Sequence, residues 1–178
     1  MKLYVVRHGE TAINVKNLVN SWNMIGLNDK GRMQAREAGE KIKDEKIDLI
    51  ICSPLIRTRQ TCKLINQNKI KVVYDRRLLE RNARCMQFKK VSDLDFDIWY
   101  DPSKDIIYKD TEGFKSVLER IDNFIKCIKN KYEDKSILVV THGDVCKAFN
   151  SVINTISEIN IIKSFNQQNC EIKTYEIN

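Results

Sequence analysis

Residues 2–11, KLYVVRHGET, decide how the chain is read. Leu3, Val5 and Val6 make a short apolar run with the character of a β-strand, and it ends at Arg7. An arginine, a histidine, a glycine and an acid follow at once. A surface turn needs no such group, and a core holds a charge only when the charge is paired. His142, the other of the chain's two histidines, repeats the pattern at the end of KSILVVTHG, residues 135–143. A third apolar run, DLIICS at 48–53, reads as a strand covered on both faces, and Pro54 ends it.

Helical signals lie between these runs. Asn28 reads as an N-cap for DKGRMQAREAGEKIKDE, with Ala35, Ala38, Ile42 and Met33 inward. Gly31 weakens the first turn and implies close packing there. LIRTRQTCKLINQ has helical spacing at Leu55, Thr58, Cys62 and Ile65, and IKVVYD is a further strand. The clearest helix is TEGFKSVLERIDNFIKCIKNKY, striped by Val117, Leu118, Ile121, Phe124, Ile125 and Ile128. Asp144 reads as the cap of VCKAFNSVI, and QNCEIKTYEI as a closing strand. Residues 12–27 read as a partly helical excursion. Residues 81–110 read as a helix-loop insertion, broken at Pro102. Strands alternating with amphipathic helices predict a layered α/β/α domain. Ligands in such sheets gather at the carboxyl ends of strands. Arg7, His8, Ser53 and His142 all lie at such ends.

At 178 residues, 42% hydrophobic and 31% charged, the chain suits one soluble globular domain, 1–178. It contains no apolar run long enough to span a membrane, and no signal peptide is expected from its opening strand. The six cysteines form no CxxC pair, and those in IICSP, NFIKCI and DVCKAF read as buried reduced thiols. A reducing, cytoplasmic setting is expected. Net charge is +11 over residues 1–90 and −4 over 91–178. The basic half could draw in a small anion. Nucleic-acid binding is not expected, because no zinc-finger or RNA-binding pattern accompanies the charge.

Arg7, His8, Arg57, His142 and Glu80 together suit phosphoryl transfer. Arginines clamp a dianion through charge-assisted hydrogen bonds. A neutral histidine can attack phosphorus, a second can hold its oxygens, and an acid can protonate the leaving oxygen. Taken singly, each residue also has an ordinary structural explanation. Thr11 and Ser53 could be caps, and Glu10 an outward-facing surface acid.

RHGET with Asn14 resembles the signature of the histidine phosphatase superfamily, also called phosphoglycerate-mutase-like. SPLIRTRQT resembles its second signature, LLE at 78–80 its proton-donor segment, and VVTHG its last. GLNDKGRMQA and TEG resemble the intervening helix entries, so the resemblance spans nearly the whole chain in the expected order. It implies a three-layer α/β/α sandwich with a mixed central sheet. It also implies a phosphohistidine cycle needing neither metal nor cofactor. His8 would be the nucleophile, Glu80 the acid and then the base, and Arg7, Arg57 and His142 the phosphoryl clamp. Asn14 is expected to bond the same group, with Gly9, Thr11, Ser53 and Gly143 completing the substrate-binding set. Residues 81–110 would cover the substrate, a small anionic phosphomonoester. Hydrolysis is the leading activity. A phosphoglycerate or sugar-phosphate mutase and a non-catalytic regulatory module are the alternatives. RNARCMQF, after Glu80, lacks the glycine-aromatic-glycine pattern of many small phosphatases and leaves the substrate open. Arg81, Arg84, Lys89 and Lys90 could meet a second acidic group on it. The apolar and aromatic residues at 94–100 either pack internally or meet a twin subunit in a homodimer.

Overall fold

The computed structural model describes residues 1–177. Its main sheet has five strands: β1 (Lys2–Arg7), β2 (Leu49–Cys52), β3 (Val72–Tyr74), β6 (Ser136–Thr141) and β7 (Ile172–Glu176). Their order is β3-β2-β6-β1-β7, all parallel except β7, which runs antiparallel to β1. A two-stranded ribbon, β4 (Ile106–Ile107) with β5 (Thr111–Glu112), lies apart from it.

Side chains alternate across a strand, so each central strand feeds two cores. Leu3, Val5, Ile51, Ile137 and Val139 pack on one face beneath helices α5 (Phe114–Lys131) and α6 (Gly143–Ile153). Tyr4, Val6, Ile50, Leu138 and Val140 pack on the other beneath α2 (Asp29–Ile42) and α3 (Ile56–Ile65). This is the expected three-layer sandwich around a mixed sheet. Three short helices complete it: α1 (Ala12–Val15), α4 (Phe96–Trp99) and α7 (Ile159–Ser164). None of the described helices is long and apolar enough to cross a membrane.

Several local readings need correcting. Met33 is 58% exposed, because the inner side of α2 is carried by Ala35, Ala38 and Ile42 with Gly31 and Gly39. His142, not Asp144, holds the cap position of α6; the helix begins two residues early and Asp144 is spent on side-chain partners. Cys127 is exposed on the outer side of α5, and Leu118 is only partly buried. Trp99 and Tyr100 pack internally, whereas Phe96 and Ile98 remain exposed. Nothing in the sequence reading anticipated α7.

The start of α2 is pressed against the strand-end turn. Asn28 Oδ1 accepts from Gly31 N at 2.7 Å, as its capping role requires. A Cβ on Gly31 would lie 2.1 Å from the Glu10 carbonyl oxygen, and one on Gly9 would lie 2.4 Å from the Gly31 carbonyl. Glycine-to-alanine inside a helix ordinarily gains up to about 1 kcal/mol. At position 31 the backbone collision reverses the sign. Gly31→Ala is expected to destabilise by roughly 1–3 kcal/mol, and denaturant titration against wild type measures this.

Candidate active site

Parallel register assembles the site. Arg7 of β1 pairs with Thr141 of β6, so His8 and His142 leave the sheet side by side. Cys52 of β2 pairs with Val140, which puts Ser53 beside Thr141. Backbone bonds prolong the alignment past the strands: His8 N donates to Thr141 O at 2.9 Å and Ser53 N to Val140 O at 3.0 Å. The imidazoles meet edge to face, 5.3 Å between centroids. Pro54 then ends the strand, and α3 presents Arg57 from its first turn.

His8 is almost fully buried. Its Nδ1 lies 2.8 Å from the Gly9 carbonyl, which can only accept, so Nδ1 carries the proton. Nε2 is left with a lone pair and accepts from Arg57 Nε at 3.2 Å. Burial, then the charges of Arg57 and Arg7, hold the imidazole well below the usual histidine range. The ring is therefore neutral and its nucleophilic nitrogen is defined. Arg57 is itself buried and anchored by the carbonyls of Ser21 (2.7 Å) and Asn23 (3.3 Å). Burial lowers its pKa to about 10, which leaves it charged at neutral pH.

His142 Nε2 shares a 2.7 Å hydrogen bond with Ser53 Oγ, and burial holds this ring neutral too. Its Nδ1 and Arg7 Nε are buried without protein partners. Unpaired buried polar atoms cost about 1–3 kcal/mol each, so both are suited to an oxyanion. Arg7 is braced by Nη1 donating to the Gln167 carbonyl at 2.8 Å, and Asn169 Nδ2 donates to the His8 carbonyl at 2.8 Å.

Glu80 approaches from the segment after β3. Its Oε1 accepts from Arg81 N at 3.0 Å and its Oε2 from Gly143 N at 3.1 Å. Burial, then the charge of Asp144, raises its pKa to about 7. Glu10 also lines the cavity, but its carboxylate is committed to the start of α2, accepting from Asn28 Nδ2 at 2.9 Å and Lys30 Nζ at 3.0 Å.

Arg7, His8, Asn14, Glu80 and Gly143 line a cavity of about 400 Å³. Arg57, Ser53 and His142 are buried and are not among its lining residues; Arg57 and His142 pack against His8, and Ser53 bonds His142. Gly9 and Thr11 are scaffold. Gly9 N donates to Thr61 Oγ1 on α3 at 3.0 Å, and Thr11 caps α1 through a reciprocal bond pair with Asn14. The 81–110 segment supplies one wall, including Leu94, Trp99 and Tyr100. Sequence reasoning missed the structural part of the 166–169 loop, whose only signal was the polar run NQQN before β7. It also missed Asp144 and Lys147 as cavity residues. Of the basic cluster after Glu80, only Arg81 lines the cavity; Arg84, Lys89 and Lys90 are exposed.

The family model of the histidine phosphatase superfamily, branch 1, matches residues 3–178. The uncharacterized phosphatase PhoE of Bacillus subtilis (strain 168) is 27% identical, covering 98% of this chain and 93% of its own. Phosphoglycerate mutase-like protein 4 of Arabidopsis thaliana is 30% identical over 83% of this chain and 68% of its own. In fold, the structure of YhfR from Bacillus stearothermophilus superposes with a TM-score of 0.87 at 24% identity, covering 99% of this chain and 91% of that one.

Proposed function

The chain belongs to branch 1 of the histidine phosphatase superfamily, and on that premise we propose that it is a phosphomonoesterase working through a phosphohistidine on His8. The observation that carries this reading is the pairing of two oppositely tuned groups at one cavity. One is a neutral imidazole whose unprotonated Nε2 accepts from the buried Arg57 guanidinium at 3.2 Å. The other is a carboxyl group raised to about 7.

In this reading Nε2 attacks phosphorus in line. Arg7, Arg57 and His142 Nδ1 take the charge that builds on the phosphoryl oxygens, and Asn14 borders the same space. Glu80 gives its proton to the departing alkoxide, then takes one from the water that cleaves the phosphohistidine. Ser53 fixes the orientation of His142, and Gly9 and Thr11 hold the turn that carries His8. The wall built from 81–110 covers the substrate on the Glu80 side. Incubation with a labelled monoester tests the reading: inorganic phosphate and an acid-labile phosphoenzyme should appear. Isomerised monophosphoglycerate without phosphate release would make the protein a mutase instead.

The sign of the pH dependence follows from Glu80. Only its protonated form can donate, and that form is lost as pH rises through about 7. For an alkyl monoester, kcat/KM is expected to fall about tenfold per pH unit above that value. It reports only the steps through His8 phosphorylation. A nitrophenyl ester, whose leaving group needs no proton, should give a flatter profile. Coincident alkaline limbs for the two esters would contradict the assignment.

A further inference from the structure

The donor Glu80 marks the side on which the leaving group departs, and the charges there can be followed one by one. Arg7, Arg81 and Lys147 are the lysine and arginine side chains on the cavity wall. Arg7 belongs to the phosphoryl end. Lys147 spends its three protons on the end of α7, donating to the carbonyls of Ile162 (3.0 Å), Lys163 (3.1 Å) and Phe165. Arg81 is 1% exposed and lies 4.4 Å over the Trp99 ring. Its Nη1 donates to the Trp99 carbonyl, and its Nε lies 3.0 Å from Asp144 Oδ2 in an ion pair too oblique to count as a hydrogen bond. Its Nη2 has no hydrogen-bond partner. Asp144 is fixed in turn by Trp99 Nε1 at 3.1 Å and Tyr100 Oη at 3.0 Å. The wall therefore offers aromatic surface, a buried guanidinium whose charge is already matched by Asp144, and an ammonium, Lys147, whose protons are already committed to carbonyls.

We propose that Asp144 sets the charge preference of the leaving-group site: by pairing with Arg81 it withdraws that guanidinium from any incoming anion, so the substrate is a monoester of an uncharged alcohol rather than of one bearing a carboxylate or a second phosphate. The proposal rests on the phosphomonoesterase reading above. A carboxylate placed beside Arg81 would have to compete with Asp144 or sit near its charge. An uncharged hydroxyl or carbonyl beside the same wall bears neither cost.

Glycerol 3-phosphate and 3-phosphoglycerate give the test. They share a three-carbon frame and a primary alkoxide leaving group, and differ in a hydroxymethyl against a carboxylate. Effects on proton delivery by Glu80 therefore cancel in the ratio of their kcat/KM values. Wild type should favour glycerol 3-phosphate by about tenfold or more, the scale of one charge-assisted contact. Asp144→Asn keeps an acceptor for Trp99 and Tyr100 but frees the Arg81 charge, and should move the ratio about tenfold toward 3-phosphoglycerate. Adding Arg81→Gln to that variant should cancel the gain. Arg81→Gln alone leaves Asp144 unpaired and should move the ratio the other way, which provides a readout should Asp144→Asn fail to fold. A wild-type preference for 3-phosphoglycerate, or a ratio unmoved in every folded variant, would overturn the proposal while leaving the phosphatase reading intact. Failure to hydrolyse either ester, or nitrophenyl phosphate, would remove that reading and the proposal with it.

Discussion

Replacing His8 with alanine is expected to lower kcat/KM by about 10⁴-fold or more for every phosphomonoester, nitrophenyl phosphate included. The reason is geometric. His8 lines the cavity with its nucleophilic nitrogen defined: Gly9 O takes the Nδ1 proton, and Arg57 Nε marks Nε2 as the nitrogen left with a lone pair. A good leaving group cannot substitute for a missing nucleophile, so the loss should not depend on the ester. Arg57 would lose its Nε acceptor, and that buried donor costs about 1–3 kcal/mol when unpaired. A lowered melting temperature is therefore expected alongside the lost activity. Vanadate binding separates the two effects, because Arg7, Arg57 and His142 remain to hold an oxyanion. Retained vanadate affinity with no acid-labile phosphoenzyme is the expected result. Trapped phosphate on His142 in the wild-type enzyme would exchange the roles of the two histidines.

Much of this site was legible in the sequence because its parts sit where strands end. KLYVVRH, DLIICS and KSILVVTH are apolar runs that stop at a polar group, and parallel pairing then aligns those groups in space. Arg57 came from the resemblance of SPLIRTRQT to the family's second signature, whereas Glu10, expected to be an outward surface acid, lies partly buried at the cavity edge and is held by Asn28 and Lys30. What stayed illegible depends on contacts distant in sequence. Arg81 reads as one charge of a basic cluster, and only its stacking on Trp99 and its pairing with Asp144, 63 positions away, separate it from exposed Arg84, Lys89 and Lys90. Asp144 has the composition of a helix cap. The Trp99 and Tyr100 side chains, in a segment with no clear period, take its carboxylate instead. The 166–169 loop carries only the polar run NQQN, yet its backbone and side chains brace Arg7 and His8. Periodicity reports burial along an element; it says nothing about which loop closes over a strand end.

Glu80→Gln is expected to separate proton donation from phosphate binding. Glutamine preserves the size of the side chain but offers one acceptor oxygen, so it can keep only one of the bonds from Arg81 N and Gly143 N. That loss alone should cost less than about tenfold. The missing proton is the larger effect. In single-turnover phosphorylation of His8, an alkyl monoester should slow by roughly 10²–10⁴-fold more than a nitrophenyl ester, the range of general acid catalysis. Single turnover is essential, because the same variant also lacks the base for the later water attack, and steady-state rates would mix the two steps. Glu10 provides the control. Its hydrogen bonds from Asn28 and then Lys30 hold its carboxyl below the usual range, which keeps it ionised where a donor must be protonated. Glu10→Gln should therefore show no selectivity between the esters; its effect should be a loosening of the turn against α2. Equal phosphorylation losses for both esters in Glu80→Gln would make Glu80 a positioning group. A selective loss in Glu10→Gln instead would move the donor role to the carboxylate beside the nucleophile, despite its bonds to Asn28 and Lys30.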